Sequence, residues 1–146
     1  MKRIRRSDRE ISFQEVRKIL DNAEYGVLST VGKDGQPYGV PLSYVYKNDS
    51  IYFHCALSGH KLDNIGHNAK VSFCVVGNTK VLPDKFATEY ESTVIFGVVS
   101  EVKETERHNV LLEEKKEKRK GSTLDTRHLS SILSENPIGG RGWRDR

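Results

Sequence analysis

Chemistry concentrates in one short stretch, Ile51-Tyr52-Phe53-His54-Cys55-Ala56-Leu57-Ser58-Gly59-His60-Lys61. Its first half is apolar and rich in aromatics, as a buried strand is. Its second half holds a hydroxyl, a glycine, an imidazole and an ammonium, and then Leu62, Ile65 and Asn68 follow on a helical course. A helix start presents free amides and a partial positive charge, which suits an anion. With Ser58 as a hydroxyl donor and His60 and Lys61 as cationic groups, the junction could hold a phosphate monoester. It could equally be a capped helix with two surface cations, and spacing alone leans to that second reading. His54 has two readings of equal weight: an acid or base able to exchange a proton near neutral pH, or a structural histidine bonded at a strand end.

Other constellations are weaker. His54, Cys55 and His60 lie close in sequence, but neighbours on a strand point to opposite faces. Joint metal ligation and a Cys-His nucleophile are therefore not expected, and no metal is assigned. Tyr44, Tyr46, Tyr52 and Phe53 could stack on bases, yet on strands aromatics usually pack across the sheet. His67 and His108 sit among polar neighbours on predicted helices and read as surface residues, and His128 carries no assignment. No GxGxxG fingerprint argues for nicotinamide use.

The elements that must position these residues are legible in outline. Ser12-Phe13-Gln14-Glu15 fits a capping box opening an amphipathic helix over about 12–22, with Phe13, Val16, Ile19 and Leu20 at helical spacing. Tyr25 to Val31 is a β-rich run, and the turn Gly32-Lys33-Asp34-Gly35 contains the Asp-Gly hairpin signal. Pro37 to Tyr46 is the return strand, placed at an edge or bulge by Pro41, which has no amide to donate. Ile51–Ala56 is a third strand and Lys70–Val76 a fourth. Residues 80–90 read as a polar linker with a short helical turn. Glu91–Val102 is a long strand in which Gly97 suggests a bend. A helix is expected from Glu104 to about Lys118.

Short adjacent strands joined by tight turns imply antiparallel pairing, so the fold class is mainly β: an antiparallel, Greek-key-like β-barrel with short helices. The chain has 146 residues, the size of one domain, with 36% hydrophobic and 30% charged residues. No apolar run is long enough to span a bilayer, and no apolar stretch follows the basic N-terminus as in a secretory signal. Cys55 and Cys74 read as ordinary buried thiols, and the chain as cytoplasmic. Residues 1–113 are balanced in charge, and residues 114–146 carry the whole net charge of +4. That segment reads as a poorly ordered basic tail behind a domain spanning 1–113, with no final strand apparent in it. A basic tail raises nucleic-acid binding as a minor alternative, whose signature would be salt-sensitive retention on DNA.

Taken in order, Gly26-Val27-Leu28-Ser29-Thr30, Gly35-Gln36-Pro37-Tyr38-Gly39-Val40-Pro41-Leu42-Ser43-Tyr44-Val45, Tyr52-Phe53-His54-Cys55-Ala56, Gly59-His60-Lys61 and Lys70-Val71-Ser72-Phe73 resemble the pyridoxamine 5′-phosphate oxidase-like flavin-binding split barrels. The branch they most resemble is the nitroimidazole-resistance, or Nim-type, branch. The resemblance implies a homodimer binding flavin mononucleotide (FMN) at the subunit interface, acting as an oxidoreductase on a small nitroaromatic or other electron-poor substrate. It implies that Val40, Pro41, Leu42 and Ser43 run along the flavin ring through backbone groups. It places His54 near the ribityl chain or ring, as a candidate catalytic residue, and Ser58, His60 and Lys61 on the phosphate. The oxidase that names the superfamily has an Arg-Lys pair where this chain has His60-Lys61, and its substrate-binding C-terminus has no counterpart here, which argues against pyridoxamine phosphate as substrate. The alternative is a flavin- or haem-binding protein without turnover, serving storage or sensing.

Overall fold

A computed structural model describes residues 7–47, 49–54, 58–85, 87–102, 129–133 and 140–145. Among the described residues, two α-helices each precede a run of four strands: α1 (Phe13–Asn22), β1 (Tyr25–Val31), β2 (Pro37–Ser43), β3 (Val45–Lys47), β4 (Ser50–His54), α2 (His60–His67), β5 (Lys70–Leu82), β6 (Ala87–Glu101), β7 (Leu129–Leu133) and β8 (Gly140–Asp145). All pairings are antiparallel, in the order β2-β1-β5-β6-β7-β4-β3, with β8 also on β6. The two ends of this path, β2 and β3, are separated in the chain by Tyr44 alone. One residue cannot cross a flat sheet of seven strands, so the sheet must curl until its ends meet. That is the split barrel expected from the sequence.

The local signals explain most elements. Ser12 caps α1 as the sequence predicts: its hydroxyl accepts from the Glu15 amide while the Glu15 carboxylate accepts from the Ser12 amide. The buried stripe Val16, Ile19 and Leu20 then packs onto the barrel core formed by Leu28, Ile51, Phe53, Phe73, Val75 and Ile95. The hairpin at Gly32–Gly35 forms with Gly35 at φ +83, a left-handed conformation that favours glycine. Pro41 lies on β2, which pairs with β1 alone among the described residues, as its missing donor requires.

Five expectations are corrected. The return strand breaks at Tyr44, whose ring turns inward, meets Phe73 edge-on at 5.1 Å and donates its hydroxyl to the Leu20 carbonyl at 2.7 Å. The gain of a buried bond and ring contact at the barrel seam outweighs a straight strand. The supposed linker at 80–90 is mostly ladder, with Lys80↔Glu89, Val81↔Thr88 and Leu82↔Ala87 in register around a 3-10 turn at Pro83–Lys85. Backbone pairing continues through this stretch despite its polar composition, because it extends the long β5–β6 ladder already in register. Gly97 keeps register with Val71, and the irregularity falls between Gly77 and Lys80 instead. The segment after residue 113 does supply a last strand: β7 pairs with both β4 and β6, and β8 lies along the other half of β6. Cys74 is a free thiol only half-buried on β5, and that burial pushes its pKa up. Cys55, His108, His128 and the helix expected from Glu104 lie outside the described residues. No helix among those described is long and apolar enough to cross a membrane.

Candidate functional site

Phe53 and Gly59 stand on the two sides of the junction between β4 and α2. Phe53, fully buried at the end of β4, anchors the floor. Gly59 is the N-cap residue of α2 and sits at φ +148, a conformation in which a side chain is strained. Gly59 itself has no side chain with which to cap the helix. The Asp63 amide donates to the Gly59 carbonyl at 3.1 Å, and helix geometry leaves the amides of residues 60–62 without intrahelical acceptors. An ideal Cβ on Gly59 would meet no atom of the described residues within 4 Å.

Two nitrogen-bearing side chains lie at this helix start, each against an aromatic ring. The His60 imidazole stacks on the Tyr38 ring of β2, with centroids 4.3 Å apart and planes 18° apart. The Lys61 ammonium lies over the Phe53 ring at 5.7 Å from its centroid, within cation–π range. Ser58 and His60 are exposed and Lys61 is half-buried. On its far side α2 is held by Asn64, a buried residue whose amide donates to the buried Thr30 hydroxyl of β1 at 3.0 Å. That bond fixes the helix start relative to the hairpin. A helix start with a hydroxyl, an imidazole and an ammonium beside it could hold a phosphate monoester, with the Asp63 carboxylate also in this first turn.

The Tyr38–His60 stack also brings β2 to the helix start. Along β2 the residues alternate. Val40 and Leu42 share the half-buried face with Tyr38 and pack against the core, whereas Pro41 and Ser43 face outward and are exposed. The four residues expected along one ligand therefore divide between two faces of one edge strand, and what they share is the open backbone edge of β2. His54 ends β4, its backbone paired with Leu129; its side chain lies outside what the structure describes. Tyr38 is the residue that sequence reasoning missed: it was quoted within a motif, but a contact between positions 22 apart in the chain leaves no local signal.

The outward face of β2, β1, β5 and β6 carries a second feature. Residues directly opposite in antiparallel strands share a face. One outward row runs Pro41, Val27, Cys74, Val94, and the next Gly39, Ser29, Ser72, Phe96. Within these four strands neither row holds a charge, although the first continues from Val94 to Arg141 on β8, and Phe96 is 51% exposed. Elsewhere a cleft of about 430 Å³ opens between α1, β5 and β6, lined by Glu15, Lys18, Ile19 and Glu91 among others, and none of the expected site residues borders it.

The profile of the family described as pyridoxamine 5′-phosphate oxidase matches residues 12–133. No curated protein matches the chain in sequence. Among solved structures the fold is similar to a candidate 5-nitroimidazole antibiotic resistance protein from Bacteroides thetaiotaomicron, at 18% identity and a TM-score of 0.74, covering 94% of this chain and 90% of that one. It is similar to a FAD-binding protein from Mesorhizobium loti, at 25% identity and a TM-score of 0.70, covering 94% and 98%. It is also similar to the haem storage protein of Vibrio cholerae, at 17% identity and a TM-score of 0.65, covering 85% and 90%.

Proposed function

Because the chain belongs to the pyridoxamine 5′-phosphate oxidase family, we propose that it is an FMN-binding oxidoreductase that reduces a small electron-poor compound, such as a nitroaromatic. The observation that carries this reading is the start of α2, where the glycine N-cap Gly59 is followed by His60 and Lys61, each held against an aromatic ring. It offers donors for one phosphate group, which favours a flavin mononucleotide over a ligand whose phosphates are both esterified. Ser58, His60 and Lys61 hold the phosphate. The backbone edge of Val40, Pro41, Leu42 and Ser43 flanks the ring. His54 closes β4 beside the site and is assigned delivery of a proton to the substrate.

When bound, the flavin supplies the redox chemistry, taking electrons from a donor and passing them to the acceptor. The chain's own work is to bind, orient and screen. Lys61 and His60 neutralise the phosphate charge, and the α2 dipole adds to them. The uncharged outward rows of β2, β1, β5 and β6 support a homodimer that buries this face and completes the cofactor site from the partner. A cofactor shared in that way needs no deep cavity in one chain, in keeping with a site that is an open shelf.

The test is the ligand released from native protein. FMN, identified by mass, is the expected species, carried by a particle of twice the chain mass. Its reduced form should be reoxidised without oxygen by a nitroimidazole. Haem in its place would favour the storage alternative, and FMN that is inert to every nitro compound would favour a carrier without turnover.

A further inference from the structure

We infer that Tyr38 is a positioning residue that fixes the His60 imidazole at the phosphate end of the site and thereby sets selectivity for a phosphorylated flavin. The inference rests on the FMN reading above.

The argument begins with what the helix start does not do. Gly59 provides no side chain to cap the first turn. His60 is exposed, so packing does not select its rotamer. A free exposed histidine would sample several rotamers, and ordering it on a ligand would cost entropy. The Tyr38 ring removes much of that freedom. It is half-buried on β2 and lies nearly parallel to the imidazole, at 4.3 Å and 18°.

Lys61 has its own ring, Phe53 at 5.7 Å. Phe53 is fully buried in the core, so its removal would damage the barrel. Tyr38 lies on an edge strand and can be changed with the core intact. The contact also has a longer reach. Tyr38 shares β2 with Val40 to Ser43, so one ring couples the strand assigned to the flavin ring with the helix assigned to the phosphate. Riboflavin has the ring system and the ribityl chain but no phosphate, and separates the two ends.

The experiment measures FMN and riboflavin affinity by flavin fluorescence in the native-length protein and in the variants Tyr38→Leu and Tyr38→Phe, alongside the His60 ring-proton shifts by NMR. Tyr38→Leu is expected to weaken FMN about three- to tenfold, the span of one aromatic contact. Riboflavin affinity should stay at the wild-type value, which also shows that the fold is intact. Tyr38→Phe, which keeps the ring, should restore FMN binding. The His60 ring protons should move downfield in Tyr38→Leu as the shielding ring is lost. In a His60→Ala background, Tyr38→Leu should have no further effect. Equal loss of FMN and riboflavin in Tyr38→Leu, or unchanged FMN affinity, overturns the inference while the flavin reading stands. Wild-type protein that binds no FMN overturns that reading and this inference with it.

Discussion

Gly26 shows how closely single residues are constrained where the barrel wall is thin. A Cβ added there would lie 2.4 Å and 2.5 Å from two atoms of the Phe73 ring and 3.0 Å from the Cys74 carbonyl oxygen. Phe73 is fully buried and locked edge-on against Tyr44, so it has little room to yield. Gly26→Ala is therefore expected to cost about 1–3 kcal/mol, in the range of overpacked cores. The measurement is thermal unfolding beside Gly39→Ala, whose added Cβ would meet only ordinary contacts at 3.5 Å or more. Equal midpoints for the two variants would contradict the packing described here. The sequence shows Gly26 as part of a motif but not the ring beside it, because that ring comes from a strand far along the chain. Ser12 and Glu15, by contrast, were readable as a cap, since both bonds close within three residues. The site followed the same rule. Ser58, Gly59, His60 and Lys61 are contiguous and could be picked out, whereas Tyr38 could not.

Among the elements, those with a strong period or a strong turn were legible, and those made by pairing alone were not. The amphipathic α1, the Asp-Gly hairpin and the apolar β5 core announce themselves in residue order. β7 does not, because Leu129-Ser130-Ser131-Ile132-Leu133 lacks strict alternation. β8 is harder still, since Gly140-Arg141-Gly142-Trp143-Arg144-Asp145 has low intrinsic strand preference. Both exist because β6 presents fifteen residues of edge, Ala87–Glu101, and the end of the chain pairs with it. β7 also closes the gap between β6 and β4, the strand that leads to the site. Ending the chain after Glu113 should therefore expose two strand edges and remove the support of β4. The shortened chain is expected to aggregate or to lose cooperative unfolding in urea. If it unfolds cooperatively at the wild-type midpoint, β7 and β8 are dispensable and their structural role is wrong.

For the molecule as a whole, the barrel acts as a frame that brings three distant segments together. Closure at Tyr44 sets β2 at one end of the sheet path, Asn64 bonds α2 to β1, and Phe53 seats Lys61 at the end of β4. A chain with little net charge in its first 113 residues thus concentrates cationic groups and free amides at one point, beside an uncharged outer face. The account stands on that point gripping a phosphate. The most direct measurement is the dissociation constant for FMN, with riboflavin alongside, in wild type and in the double variant His60→Ala, Lys61→Ala. Losing two charge-assisted contacts should weaken FMN by at least about tenfold and leave riboflavin unchanged. An unchanged FMN constant in the folded double variant would contradict the account.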